Sequence, residues 1–425
     1  MNILTIGGGG REHAIITALS KSEHVNQLYC APGNGGISLL AECFPEVKAT
    51  DIDGIVALAK RLKPDIVFVA ADDPLVLGAV DSLNAEGIRT FGPRANAAAI
   101  EGSKVFAKEF MRRHNIPTAK YAAFSSPSEA KAYLRGRDTY PIVIKCDGLA
   151  FGKGALIVTT EAEAFSVVDE VLCGGKFGDS GKNVVIEDYM QGVEATILVF
   201  TDGKTYKIMP PLSDHKRAFD GDKGLNTGGM GVIAPTPYVN AATLKQAEEL
   251  IIKPTIDGLR DEGRPFKGVL YFELMVNPSD KNAVPRVIEY NCRFGDPECQ
   301  TVLPLLQSDL AEIIAAVWDE RLDSLEVKFS NKAAACVVAA SGGYPEKYAT
   351  EKLISGLDTI EGAALYHAGT RKTDDGFVTA GGRVLNIVAV ADTLPLSLKK
   401  AYAEIKKVKF DDMFYRTDIG KKALS

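Results

Sequence analysis

The chain has 425 residues, with 49 Lys and Arg against 55 Asp and Glu, for a formal net charge of −6. That length exceeds one ordinary core and leaves room for roughly two to four domains. A composition of 46% hydrophobic and 24% charged residues excludes disorder, collagen and coiled coil as the main state.

The mild acidity argues against a dedicated nucleic-acid binder, because phosphate contacts need clustered Lys and Arg. The 7 cysteines are odd in number, widely spaced and without a C-x-x-C. They argue against a disulfide framework or a zinc site and favour a reducing compartment. MNILTIGGGG lacks a cationic n-region and reads as a strand entering a turn. No apolar run is long enough to span a bilayer. The expectation is a soluble cytoplasmic protein without nucleic-acid or membrane partners.

In chain order, 2–6 is a short apolar strand, 11–20 a helix and 27–31 a strand ending in the turn Pro32-Gly33-Asn34-Gly35-Gly36. A helix over 51–62 and a buried strand over 66–71 continue the rhythm, which implies a parallel sheet with helices on both faces. The spacing predicts a helix over 103–114, stopped by Pro117. Residues 121–188 form a compact block: strands at 142–145, 155–159 and 184–187, a Gly-rich loop and a helix over 161–172. Strands at 195–200, 268–276 and 286–291 follow, with a helix near 244–262. The last hundred residues carry strands at 333–340 and 384–391 and a helix over 396–407. The predicted class is α/β: an N-terminal doubly wound parallel-sheet domain (1–102), a core (103–120 and 189–325) with an inserted α+β lid (121–188), and a C-terminal mixed α/β domain (326–425).

Gly7-Gly8-Gly9-Gly10-Arg11-Glu12-His13 follows the first strand directly. Glycine lets backbone approach an anion, and the helix behind it offers N–H groups. A phosphate site, a plain tight turn and a dinucleotide site all remain open, although G-x-G-x-x-G fails at Glu12 and His13 and no acidic residue ends the second strand. Asp72-Asp73-Pro74-Leu75 sits at a strand's carboxyl end, either a substrate contact or a helix N-cap with Pro at N1.

In Pro141–Gly154 a buried strand delivers Lys145, and a glycine-rich loop with Gly148, Gly152, Lys153 and Gly154 follows. Two ammonium groups and exposed N–H groups suit a polyphosphate. Val184–Met190 runs into an acidic hinge with Glu187 and Tyr189. With Glu194 beyond it, this hinge suits a nucleoside, or else a salt-bridged lid. On the strand 286–291, Glu289 and Asn291 point to one face, and such oxygen donors suit Mg²⁺. Arg293 joins that face if the strand continues, where a guanidinium would stabilise developing charge. Glu273 reads either as a further metal ligand or, preferred, as a solvent-facing strand carboxylate. Asp214-His215-Lys216-Arg217 gathers three potential cations, and Asn226-Thr227-Gly228-Gly229-Met230-Gly231 is rich in backbone donors. Together they suit a carboxylate or phosphate, or form an exposed charged loop. His24 and His114 read as surface residues, and His367 as a packed turn histidine.

These residues resemble the phosphoribosylamine–glycine ligases (glycinamide ribonucleotide synthetases) of the ATP-grasp superfamily. The resemblance runs essentially end to end. It includes GGGGREHA at 7–14, APGNGG at 31–36, EGSK at 101–104, IVIKCDGLAFGKG at 142–154, DHKR at 214–217, NTGGMG at 226–231, EYNCRFGDPE at 289–298 and HAGT at 367–370.

The resemblance implies an ATP-grasp core and joining of glycine to 5-phosphoribosylamine in purine biosynthesis. The implied products are glycinamide ribonucleotide, ADP and phosphate, by way of glycyl phosphate, with ATP and Mg²⁺ or Mn²⁺. It implies that Lys104 and Lys145 hold phosphates while Gly148, Gly152, Lys153 and Gly154 close over them. Glu187, Tyr189 and Glu194 would take the nucleoside, and Glu289 and Asn291 the metal. Arg293 and Lys153 would act in catalysis. Gly8, Gly9, Gly10, Arg11, Asp72, Pro74, His215, Lys216, Arg217, Asn226, Thr227, Gly228, Gly229, Arg293, Gly295 and Asp296 would face the amine and glycine. The implied state is a monomer or weak homodimer.

Departures from the family pattern are Gly8 in place of Asn, Ala71-Asp72 in place of Pro-Glu, Phe272-Glu273 in place of Ala-Gly, and a divergent 218–225. Competing readings are another ATP-grasp carboxylate–amine ligase or carboxylase, or a nucleotide-binding homologue without catalysis.

Overall fold

The computed structural model describes residues 1–148, 154–174, 178–280 and 283–424. The first hundred residues form a five-stranded, all-parallel sheet in the order Glu42–Cys43, Gln27–Pro32, Asn2–Gly7, Ile66–Val69, Thr90–Phe91. Alternation along its strands sends Ile3, Cys30 and Phe68 into one hydrophobic cluster and Leu4, Ala31 and Val67 into another. Helix Gly10–Leu19 joins the first cluster and helix Ile52–Leu62 the second. Helices therefore cover both faces, as the near-continuous apolar strands predict. The carboxyl ends of the central strands lead to Gly7–Gly10 on one side and Asp72 on the other, where ligands gather in such sheets.

Residues 121–188 hold a four-stranded antiparallel sheet in the order Tyr121–Phe124, Val184–Asp188, Ile142–Cys146, Ala155–Val158. Helices Pro127–Leu134 and Glu161–Leu172 pack on it. Ala130, Leu134, Ile144, Val168 and Ile186 give this unit a hydrophobic cluster of its own.

A second antiparallel sheet runs Tyr206–Ile208, Val193–Asp202, Lys267–Val276, Arg286–Asn291. The single helix expected over 244–262 is present as one continuous helical stretch from Ala241 to Asp261, but its turn width changes midway. Ala241–Ala247 and Lys253–Asp261 flank a wider π turn, Glu248–Ile252, with Pro254 at the start of the second piece. Proline has no N–H to continue the ladder.

The third large sheet has the order Ser213–Asp214, Gly231–Ala234, Ala333–Ala340, Arg383–Ala391, Ala364–His367, so two of its strands come from 213–234. Between those two strands projects a small hairpin, Arg217–Phe219 with Lys223–Asn226. These short strands carry too little periodicity to read from sequence. Among the described residues, no helix is long and apolar enough to cross a membrane.

Asp51 caps helix Ile52–Leu62 by accepting from the Gly54 amide at 3.0 Å. Asp51→Ala removes about 1 kcal/mol of capping. Amide exchange in the helix's first turns should quicken about five-fold while the rest of the sheet keeps its protection. Unchanged exchange there would refute the cap.

Candidate functional site

The N-terminal glycine turn is shaped by contacts that leave no room for side chains. Gly7 has φ +138°, and a Cβ on Gly8 would meet the Gly33 carbonyl oxygen at 2.6 Å. Gly9 is the N-cap, and its amide donates to Glu12 Oε2 at 2.6 Å. Asn34 organises the turn. Its amide nitrogen donates to Gly8 O (3.0 Å), Gly9 O (3.3 Å) and His367 O (2.9 Å), while its Oδ1 accepts from Gly36 (2.9 Å) and Ile37 (3.0 Å). Arg11 turns inward, its Nε on Glu12 Oε1 at 2.7 Å and Nη1 on Phe294 O at 3.1 Å. Glu12, standing where a dinucleotide motif needs glycine, is buried in these contacts. His13 Nδ1 accepts from the His367 amide at 2.8 Å, and His367 Nδ1 lies 3.0 Å from Thr370 Oγ1. His367 is thus the packed turn histidine the sequence indicates. His24 is exposed beside Glu312, whereas His114 is half-buried, 2.9 Å from Glu262.

Arg293 forms the second centre. Strand Arg286–Asn291 ends before it, which corrects the expectation that Arg293 shares a strand face with Glu289 and Asn291. Its Nη2 instead meets Glu101 Oε1 at 2.9 Å and Asp72 Oδ2 at 3.4 Å, and its Nε is buried without a partner. Glu101 also accepts from the Cys292 amide at 2.7 Å. Asp72 opens helix Asp72–Val76, with Ala71 at the N-cap and Pro74 buried in the first turn. Burial pushes the Asp72 carboxyl up, but Arg293 and Arg11 outweigh it and hold it below its ordinary range. One carboxylate thus serves both as a helix-start residue and as a partner of Arg293.

The third centre is a lattice of lysines and glutamates. Lys145, near the end of its strand, reaches Glu187 Oε1 at 3.2 Å and Ile288 O at 3.0 Å. Lys108 binds the other oxygen of Glu187 at 3.0 Å and Thr118 Oγ1 at 2.7 Å. Lys104 donates to Gly148 O at 2.9 Å, and Gly154 O accepts from the Cys146 amide at 2.9 Å. Gly152 and Lys153 lie outside the described residues.

Glu273 and Glu289 face each other in register across adjacent strands, as do Tyr271 and Asn291. Glu273 is 2% exposed and paired with Lys216, which corrects the expectation of a solvent-facing carboxylate. Lys216 lies across that face of the sheet, and Glu289 stands beside Glu273 on the neighbouring strand. Lys216 also reaches Glu194 at 3.4 Å. Burial would raise the Glu289 carboxyl, but Lys145, Lys216 and Lys104 pull it down to about 2. Tyr189 and Glu194 are exposed at the hinge.

The three cations of 214–217 do not act together. His215 Nδ1 lies 3.0 Å from Gly231 O, and its Nε2 accepts from the Gly420 amide at 3.0 Å, so both ring nitrogens are committed to backbone. Burial holds its pKa below the ordinary value. Arg217 donates to Gly224 O at 2.9 Å within its own hairpin, where its register partner is Asn226. Thr227 ties the loop to Lys216 O, its amide at 2.7 Å and Oγ1 at 2.8 Å. Arg383 donates to Gly228 O at 2.6 Å and Gly229 O at 3.3 Å and pairs with Asp296 Oδ1 at 3.4 Å. A Cβ on Gly295 would lie 2.2 Å from Glu298 Oε2 and would force that buried side chain to shift.

Sequence reasoning assigned nothing to Asn34, Glu101, Lys108 or Arg383. Asn34 and Glu101 fall inside resembling motifs, but no spacing rule marks them as partners of Gly8 and Arg293.

Among the described residues, no group of three or more His, Cys, Asp or Glu is arranged to hold a metal. Glu289 and Asn291 nevertheless fit a hard cation that takes few protein ligands and completes its shell with phosphate and water. The supporting observation is a carboxylate held ionised by lysines beside an amide oxygen on one strand face.

Three family models match the chain: phosphoribosylglycinamide synthetase N domain at residues 1–101, its ATP-grasp (A) domain at 102–299 and its C domain at 334–422. A phosphoribosylamine–glycine ligase of Caldanaerobacter subterraneus is 45% identical over 99% of this chain and 99% of its own length. A bifunctional purine biosynthetic protein of Schizosaccharomyces pombe is 47% identical over 99% of this chain, which spans 54% of that longer protein. The solved phosphoribosylamine–glycine ligase of Thermotoga maritima superposes with TM-score 0.85 at 30% identity, covering 98% of this chain and 100% of that one. The biotin carboxylase domain of Hydrogenobacter thermophilus 2-oxoglutarate carboxylase, solved with MgADP, shares the fold at TM-score 0.73 and 14% identity over 97% of this chain and 91% of that one.

The two histidines beside the glycine turn give a pH prediction. Burial, with His367 nearby, lowers His13 to about 3, and burial lowers His367 to about 4. Both stay neutral in the fold at pH 5, while the unfolded chain takes up protons below about 6.5. Stability therefore falls as pH drops from about 6.5, by roughly 1.7 kcal/mol per histidine on reaching pH 5. In urea unfolding at the two pH values, His13→Gln, which keeps an acceptor for the His367 amide, should lose about that much less than wild type. Equal pH sensitivity of the two chains would refute a neutral buried His13.

Proposed function

Because the chain belongs to the phosphoribosylamine–glycine ligase family, we propose that its three charged centres carry out ATP-dependent ligation of glycine to 5-phosphoribosylamine. The products are glycinamide ribonucleotide, ADP and phosphate. The observation that carries this reading is Glu289, an ionised carboxylate among three lysines, on the strand Arg286–Asn291 that ends just before Arg293.

A carboxylate is a poor acyl donor until one of its oxygens leaves as phosphate. In this reading the glycine carboxylate attacks the γ-phosphoryl group, releasing ADP and forming glycyl phosphate. The amine then attacks the acyl carbon and expels phosphate. Such chemistry asks the protein mainly for positioning and charge neutralisation.

The ATP-grasp fold implies ATP and a divalent metal, and we take the metal as Mg²⁺, held by Glu289 and Asn291. When bound, it would neutralise phosphate charge. Lys104 and Lys145 hold phosphates, with Gly148, Gly152, Lys153 and Gly154 closing over them. Glu187, gripped by two lysines, acts by fixing them, which leaves the exposed Tyr189 and Glu194 to the nucleoside. Arg293, steadied by Glu101 and Asp72, stabilises the reacting centre. The turn at Gly8, Gly9 and Gly10, together with Lys216 and the loop 226–229, faces the amine and glycine. His215 and Arg11, committed to internal partners, support those loops. Residues 1–102 serve the amine, the unit 121–188 covers the nucleotide, and 326–425 buttresses both. All seven cysteines are unpaired thiols, which suits a reducing cytoplasm.

The test incubates the protein with ATP, Mg²⁺, glycine and freshly generated phosphoribosylamine and measures phosphate and ribonucleotide. Product must depend on both glycine and the amine, and product independent of either one defeats the reading. Glu289→Ala should lower kcat at least about a hundred-fold, by analogy with removal of one charge-stabilising group. It should also weaken Mn²⁺ binding seen by electron paramagnetic resonance. Normal turnover at ordinary Mg²⁺ would remove Glu289 from the metal site.

A further inference from the structure

We propose that the C-terminal segment 416–420 clasps the hairpin that carries Lys216, and that Arg416 is a positioning residue for the ligation. This rests on the role given to Lys216 above.

The residues on either side of Lys216 are tied to this one five-residue stretch. Before it, His215 Nε2 accepts from the Gly420 amide at 3.0 Å. After it, Arg217 O accepts from Arg416 Nη1 at 3.1 Å. Arg416 has a side chain only 2% exposed, and its guanidinium also meets Asp222 Oδ1 at 2.9 Å and Asp418 at 2.8 and 2.9 Å. Asp418 Oδ2 in turn accepts from the Gly221 amide at the hairpin tip, 2.8 Å away. Asp220 accepts from the Thr417 amide at 2.8 Å and bonds its hydroxyl. Lys422 pairs with Asp222. The segment is itself fixed, since Tyr402 OH donates to Arg416 O and accepts from the Ile419 amide, both at 2.9 Å.

The hairpin needs such a clasp. It is a two-stranded ribbon of three and four residues whose Phe219 and Leu225 are exposed, and an isolated ribbon of that kind is marginal in water. Lys216 stands at its base and sends its ammonium to Glu273 and Glu194. Any slip of the ribbon carries Lys216 away from those carboxylates and from the substrates it faces. The nucleotide lysines, Lys104 and Lys145, hang on other elements. The clasp therefore acts mainly on the glycine and amine side of the reaction and touches ATP binding only weakly, through the pairing of Lys216 with Glu194 and its charge beside Glu289.

The experiment compares full-length wild type, Arg416→Met, Arg416→Lys and Asp220→Asn. It measures kcat and the KM of each substrate, together with the rate of tryptic cleavage at Lys223, exposed in the hairpin. Arg416→Met should lower kcat/KM for glycine and phosphoribosylamine at least about ten-fold, keep KM for ATP within about two-fold and speed cleavage at Lys223 about ten-fold. Arg416→Lys, which keeps the charge, should recover part of the loss. Asp220→Asn, at the surface, should move the same parameters in the same direction and decides the matter if Arg416→Met does not fold. Unchanged glycine and amine parameters, or an equal loss for all three substrates, would overturn the positioning role. Wild type without ligase activity would overturn the ligase reading instead. The tryptic rates would then still show whether Arg416 holds the hairpin.

Discussion

Glu187 is buried between Lys108 at 3.0 Å and Lys145 at 3.2 Å, and the remaining geometry of the nucleotide side hangs on that trio. Taking a carboxylate out of water costs several kcal/mol before any pairing, and stranding one member of a buried pair costs about 3–5 kcal/mol. The three groups therefore stay together or the region rearranges. Each lysine also carries the constraint onward. Lys108 donates to Thr118 Oγ1, which donates to Val287 O at 2.7 Å, and Lys145 donates to Ile288 O. Two hydrogen-bonded paths thus run from one carboxylate to consecutive carbonyls immediately before Glu289. The sheet of 121–188, helix Lys104–Arg113 and the strand bearing Glu289 are held in one frame. Lys108, whose burial lowers it to about 8 against the pull of Glu187, is the strained member of the group.

A similar lattice joins the amine side. Asp296 accepts from Gln300 at 2.7 Å and from the Arg11 amide at 3.3 Å, and it pairs with Arg383 at 3.4 Å. Those partners come from the first helix, the core and the last long strand. Arg383 extends the lattice to the carbonyls of Gly228 and Gly229, and Asn34 extends it from Gly8 and Gly9 to His367 O. The C-terminal residues therefore reach two glycine turns far away in sequence, one through the Arg383 donor and the other through the His367 carbonyl that holds Asn34. The carbonyls of both turns are satisfied, as buried backbone groups must be, and in the second turn the Gly228 and Gly229 amides are taken as well, by Tyr344 OH at 3.1 Å and Thr227 Oγ1 at 3.0 Å.

The long elements were legible from periodicity, because apolar alternation and i, i+3, i+4 spacing are local facts. Strand Ala333–Ala340 is a continuous apolar run, strand Ile142–Cys146 is apolar but for Lys145, and helix Glu161–Leu172 has its Thr160 cap in place. The site was legible as residue types at strand ends: Lys145, Glu289 and Asn291 stand where alternation put them. What could not be read is which charge answers which. Glu273 looked solvent-facing because a lone strand does not show that Lys216, 57 residues earlier in the chain, lies across its face. Arg293 looked like a fourth strand position because nothing in EYNCR marks where pairing stops. His215 sits between two charged residues in DHKR, yet its ring is claimed by a backbone amide 205 residues away. Such pairings belong to tertiary structure, and no spacing within one segment encodes them.

The net charge of −6 hides a site in which several of the described cations are already matched by carboxylates. Lys108 and Lys145 share Glu187, Lys216 lies between Glu194 and Glu273, and Arg293 lies between Glu101 and Asp72. An unmatched cluster of ammonium groups would be unstable when desolvated, and an unmatched cluster of carboxylates would protonate. Pairing offsets the cost of burying these charges, although burial, with Glu194 and Glu289 nearby, still pushes the Glu273 carboxyl well up against the pull of Lys216. Charges fixed by one another need little reorganisation when a phosphoryl group changes hands, and that lack of reorganisation is how a polar site stabilises a transition state. The glutamates are as much a part of the phosphate-handling surface as the lysines, which explains how an acidic chain can hold a site suited to anions.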